Sequence, residues 1–124
     1  MITVFLIDDH PSMRAVLRLR LELEADIAVI GDAGNDVGAA AQVVALLPNV
    51  VILDAMMPIL DYDRAAALVG AFTSSSAVIV LSLYDDPTTR ACAAAAGARA
   101  VISKHGTDEQ LLAAIRSAAA SSFS

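Results

Sequence analysis

The chain has 124 residues, enough for one compact domain with a buried core and too few for two. Eight Lys and Arg against fourteen Asp and Glu leave a net charge of −6, a poor balance for gripping nucleic acid or an anionic membrane, which call for clustered cations. The apolar fraction of 57% is swollen by alanine, and no stretch approaches the ~18 apolar residues of a spanning helix, because Asp8, Asp9, Gln42 and Asp54 break the best candidates.

In chain order, Ile2 to Ile7 is almost purely apolar and rich in β-formers, as a strand covered on both faces must be. Acid appears early in the chain, at Asp8, and no basic run comes before it, so a cleaved signal peptide is not expected. Pro11 suits a first helical turn, after which Met13, Val16, Leu17 and Leu21 recur at helical spacing, with Arg18/Glu22 and Arg20/Glu24 as possible pairs four apart. A second strand is expected over 27–30 and a helix over 36–47, stopped by Pro48. The third strand is 50–53; a short helix follows Asp63 and dissolves in Thr73-Ser74-Ser75-Ser76. The fourth strand is 77–81, and its helix opens at the Asp86-Pro87 cap and closes at Gly97. Cys92 lies in that helix as a small core residue; with no second cysteine it forms no internal disulfide, which fits a reducing cytosol. The last strand is 100–102, and the last helix opens with the capping pattern Thr107-Asp108-Glu109-Gln110, buries Leu111, Leu112 and Ile115, and frays from Ala118 on.

Five short apolar strands alternating with five helices imply a parallel, doubly wound α/β sheet, with either a flavodoxin-like or a Rossmann-like strand order. Ligands of such sheets bind beyond the carboxyl ends of the strands. There the sequence puts Asp8 and Asp9 after strand one, Asp54 after strand three, Ser82 after strand four, and Ser103 and Lys104 after strand five. Clustered carboxylates repel, and a bound cation relieves them; oxygen ligands of this kind suit Mg²⁺. Lys104 adds a charge suited to a phosphoryl oxygen, and it is the only lysine beside seven arginines. A carboxylate beside Mg²⁺ and a lysine is a fit nucleophile for phosphoryl transfer, so the expected product is an aspartyl phosphate.

Five pieces in order, Leu6-Ile7-Asp8-Asp9-His10-Pro11 with Arg14, Ile52-Leu53-Asp54-Ala55-Met56-Met57-Pro58 with Asp61, Val80-Leu81-Ser82, Gly97-Ala98-Arg99 and then Lys104, resemble the receiver domains of bacterial two-component response regulators. Asp8-Asp9-His10-Pro11, Gly31-Asp32-Ala33-Gly34-Asn35 and Ser103-Lys104-His105-Gly106 are most similar to the NarL/FixJ subfamily, whose receivers usually precede a helix-turn-helix domain. The resemblance implies a flavodoxin-like sheet of order 2-1-3-4-5 with five helices, a receiver over 1–120, and a frayed tail or start of a linker over 121–124. It implies Asp54 as phosphoacceptor from a sensor histidine kinase, and Mg²⁺ held by Asp8, Asp9, Asp54 and the Met56 carbonyl. Ser82 and Lys104 would contact the phosphoryl group. The domain would catalyse only its own phosphotransfer and dephosphorylation, with no external metabolite. It would work in the cytoplasm, away from membrane and without touching DNA itself. Output would run through a homodimer or a DNA-binding domain.

Singly, each of these residues has a duller reading: acids favour strand ends and turns, and Ser82 or Lys104 alone would be surface residues. His10 beside a hard oxygen site leads into the first helix more readily than it ligates metal. Two positions depart from the family pattern. Tyr62 stands where glycine usually follows Asp61, so a different loop is expected before the third helix. Val101 stands where an aromatic usually swings inward. Bulky Met56 and Tyr84, two residues after Asp54 and Ser82, are expected to shield an acyl phosphate from water. The rival readings are a degenerate receiver that docks partners without phosphorylation, and a flavin or nucleotide domain. The latter needs a glycine-rich loop where this chain has Asp8-Asp9-His10.

Overall fold

The computed structural model describes residues 1–34, 36–55, 61–83 and 86–121. Its elements run β1 (Ile2–Ile7), α1 (Pro11–Glu22), β2 (Ile27–Ala33), α2 (Asp36–Leu46), β3 (Val50–Ala55), α3 (Tyr62–Val69), β4 (Ala77–Ser82), α4 (Pro87–Ala95), β5 (Ala100–Ser103) and α5 (Asp108–Ser121). The strands form one parallel sheet in the order β2-β1-β3-β4-β5, the flavodoxin-like alternative of the two the sequence left open.

Side chains alternate across a strand, so an apolar run feeds two cores at once. On one face Phe5, Val51 and Val78 pack with Ala39 and Val43 of α2, Ala65 and Val69 of α3, Phe72, and Ala93 of α4. On the other, Val4, Leu6, Ile52 and Ile79 meet Leu21 of α1 and Leu111 and Ile115 of α5. Gly31 is required by close approach: a Cβ there would lie 2.7 Å from the Phe5 ring. The β1–β2 register shifts at this point, between Val4 and Phe5.

Several boundaries differ from the sequence expectation, each for a local reason. Asp61, not Asp63, caps α3, its Oδ1 accepting from the Arg64 N–H at 2.8 Å. Tyr62 opens that helix; among the described residues the only non-glycine with positive φ is Leu47, so position 62 makes no demand for glycine. Leu47 at φ 49° ends α2 in the left-handed region just before Pro48. α5 does not fray at Ala118: it continues to Ser121, with Ala118 and Ala119 buried against the β1/β3 face. Arg18 does pair with Glu22 (3.1 Å), but Arg20 reaches Asp108 of α5 (2.6 Å) and Glu24 pairs with Arg116 (2.9 Å). Two of these ion pairs thus join α5 to α1 and to the turn that follows it. Cys92 is half-buried against the α2–α4 core. Among the described residues no helix is long and apolar enough to cross a membrane.

Candidate functional site

At the carboxyl end of β1, the Asp8 N–H prolongs the ladder by donating to the Ala33 carbonyl at 3.0 Å. The Asp8 carboxylate turns back and accepts from the His10 N–H at 2.9 Å, which starts α1 without a side-chain cap. Asp8 is therefore buried, at 5% exposure, whereas Asp9 and His10 are exposed. The His10 ring Nδ1 lies 3.2 Å from Asp9 Oδ1 and 3.7 Å from Asp8 Oδ1. These three residues form a group whose ligand atoms lie within 4.8 Å of one another.

Asp54 sits in β3 with its side chain only 3% exposed. The Lys104 ammonium donates to its Oδ2, while Oδ1 is buried with no hydrogen-bond partner. Burial pushes the Asp54 carboxyl up to about 6; Lys104 pulls it down, and the neighbouring Asp8 carboxyl adds to the rise. Lys104 is delivered by strand pairing: its N–H donates to the Ser82 carbonyl at 2.9 Å, and Ser82 and Ser103 are register partners. Ser82, buried, is also the register partner of Ala55, one residue beyond Asp54. Asp8, Asp54 and Lys104 share a cavity of about 150 Å³ that Met13, Leu17 and Leu111 also line.

Asp54 thus meets Lys104 on one side and feels the Asp8 carboxyl on the other, Ser82 adjoins Lys104 through the backbone, and Asp9 stands exposed beside His10. Met56, whose carbonyl was expected to face a metal, lies outside the described residues, as do Met57 and Tyr84. The donor set suits a hard divalent cation. Asp54 Oδ1 is a buried oxygen without a partner, Asp8 is a second carboxylate pressed against it, and such a pair calls for neutralisation.

Sequence reasoning missed the role of two groups. Arg14, on α1, donates through Nη1 to the Asp8 carbonyl at 2.6 Å and lies 3.0 Å through Nε from Asp32 Oδ1. Asp32, at the end of β2, also holds Arg18 at 2.6 Å. The signal present was the four-residue step from His10 to Arg14, which points this side chain back at the Asp8-Asp9 corner. The second is Thr89, fully buried in the first turn of α4, whose hydroxyl donates to Asp86 Oδ1 at 2.7 Å while its N–H donates to Oδ2. Val101, in place of an aromatic, is a buried core residue whose carbonyl accepts from Arg90 at 3.1 Å.

The response regulator receiver domain profile matches residues 4–116. The chain is 30% identical over 108 residues to a probable transcriptional regulatory protein NarL of Mycobacterium tuberculosis, covering 87% of this chain and 50% of that protein. It is 35% identical over 119 residues to the transcriptional regulatory protein UhpA of Salmonella typhimurium, covering 96% of this chain and 59% of that protein. The solved signal receiver domain of the M. tuberculosis putative response regulator NarL superposes with a TM-score of 0.80 at 30% identity, covering 96% of both chains. The chain spans between half and three-fifths of the length of these curated relatives. A profile match over nearly the whole chain, on a sheet of this order, assigns it to a family in which phosphorylation and Mg²⁺ are general: the chain belongs to the response regulator receiver domains of two-component systems, among their NarL-like members.

Proposed function

We propose that this domain accepts a phosphoryl group from a sensor histidine kinase onto Asp54 with Mg²⁺, and converts that charge into a shift of its surface population. The observation that carries the reading is the Asp54 carboxylate, buried, held by Lys104 through one oxygen and unpartnered at the other. In the transfer an Asp54 carboxylate oxygen attacks phosphorus, the new O–P bond forms, and the P–N bond to the donor imidazole breaks. Water later attacks phosphorus, the O–P bond breaks, and carboxylate and inorganic phosphate return.

Asp8, Asp9 and Asp54, with the Met56 carbonyl, would hold Mg²⁺, which supplies charge neutralisation for the phosphoryl oxygens. Lys104 is already aimed at the acceptor and would move its ammonium from carboxylate to phosphoryl oxygen with little displacement. Ser82 would donate its hydroxyl to a phosphoryl oxygen, drawing the loop after β4 inward.

The receiver would occupy 1–120, with 121–124 a frayed tail or the start of a linker. The relatives' names support a transcriptional output, delivered through dimerisation or a DNA-binding domain in the other half of a full-length protein. The setting would be the cytoplasm, and this acidic domain would not itself touch DNA.

Borohydride reduction of the phosphorylated protein, followed by peptide mapping, tests the acceptor, because an aspartyl phosphate is reduced to homoserine. Homoserine at position 54 is the expected result; homoserine at another aspartate would overturn the assignment.

A further inference from the structure

Arg14 takes no part in the phosphoryl chemistry, yet it is tied to the acidic corner. We propose that Arg14 is a positioning residue for divalent-cation binding, fixing the Asp8–Asp9 peptide so that both carboxylates face one ion. The inference rests on the receiver reading above. Asp8 is held at three points: its N–H on the Ala33 carbonyl (3.0 Å), its Oδ1 by the His10 N–H (2.9 Å) and its carbonyl by Arg14 Nη1 (2.6 Å). That carbonyl belongs to the peptide plane that leads into Asp9. Asp9 is exposed, and the one side-chain contact found for its carboxylate among the described residues is the His10 ring, so the direction of its side chain follows from that plane.

Arg14 is itself anchored. Asp32 offers one oxygen to Arg14 Nε at 3.0 Å and the other to Arg18 Nη1 at 2.6 Å, and Arg18 Nη2 also donates to the Val29 carbonyl at 3.3 Å. A planar guanidinium serves the carbonyl and the carboxylate at once through a rigid fork, which a lysine ammonium on a flexible stem does not reproduce. Groups behind the ligands of a metal site orient those ligands in this way.

Charge and positioning predict opposite signs. As a bare cation near a divalent site, Arg14 would weaken Mg²⁺ binding, and its removal would tighten it. As a positioning residue, its removal loosens it. Calorimetric titration of the full chain with MgCl₂ should give a dissociation constant raised roughly tenfold for Arg14→Met. Arg14→Lys, which keeps the charge and loses the fork, should show a similar rise. Arg18→Met removes a cation from Asp32 without touching Asp8 and should stay within about twofold, as expected for a screened charge. At saturating Mg²⁺ the rate of phosphoryl adduct formation by Arg14→Lys should return to the wild-type value, since positioning of the cation and not the chemistry is affected.

Equal or tighter binding by folded Arg14→Met and Arg14→Lys would overturn the inference and leave the receiver reading intact. Should Arg14→Met melt before the titration, Arg14→Lys and Asp32→Asn decide, both expected to weaken Mg²⁺ binding. A wild-type chain that binds no Mg²⁺ at millimolar concentration would remove the receiver reading and this inference with it.

Discussion

Asp54 concentrates the cost of the site in one side chain. Its carboxyl is raised to about 6 because burial and Asp8 outweigh the help from Lys104. An acid whose folded pKa lies above its unfolded value adds stability that is fully present below the unfolded pKa and lost as pH rises through the folded one. Without Mg²⁺, the wild type should therefore weaken relative to Asp54→Asn as pH climbs from about 4 to about 7, the window set by the ordinary carboxylate value and the raised one. Paired thermal melts across that range check this; parallel curves would contradict it. Among the described residues Lys104 is the group that lowers the Asp54 pKa, so Lys104→Met should push the Asp54 titration higher still. It should also slow adduct formation roughly 10²-fold, the typical loss of one preorganised donor, measured from the time course of the mass shift. At this scale the sequence showed where Asp8, Asp54, Ser82 and Lys104 lie, because each falls within one residue of the carboxyl end of its strand and all four ends open on the same rim. It was silent on Asp32 and Thr89, whose partners are set by packing between elements.

The elements depend on a few backbone positions. Gly97, at φ 106°, turns the chain from α4 into β5, and a Cβ there would lie 2.9 Å from the Thr73 methyl. Gly97→Ala should cost about 1–3 kcal/mol by combining left-handed strain with that clash, read as a lower denaturant midpoint at unchanged slope. Leu47 is the opposite case: a left-handed residue that is not glycine and buries little of its side chain, at 63% exposure. Leu47→Gly should be neutral to stabilising, by up to about 1 kcal/mol once the looser unfolded chain is counted. The strands were legible as apolar runs because both faces of each are covered. Their carboxyl ends were read short where polar residues such as Asp54, Ser82 and Ser103 still pair within the sheet. The start of α3 was placed after Asp63, two residues late, because the Asp61 carboxylate takes up the Arg64 N–H and caps the helix. The end of α5 was misread because alanines and serines look like a tail until Ala118 and Ala119 are seen against the sheet.

At the scale of the whole molecule, acid is gathered at one rim while apolar helices close both faces of the sheet. A chain of net charge −6 that also buries Asp8 and Asp54 side by side is poised to gain from a divalent cation. Mg²⁺ should therefore raise the melting temperature by a few degrees, with EDTA reversing it, as binding to the folded state alone requires. The central claim is that this rim makes an aspartyl phosphate on Asp54. Intact mass after incubation with a small phosphodonor, with and without Mg²⁺, on wild type and on Asp54→Ala, tests it most directly. The account predicts a single phosphoryl adduct that needs both Mg²⁺ and Asp54. A folded wild-type chain that takes up no adduct, or an Asp54→Ala chain that takes it up equally, would contradict it and favour a docking module that works without phosphorylation.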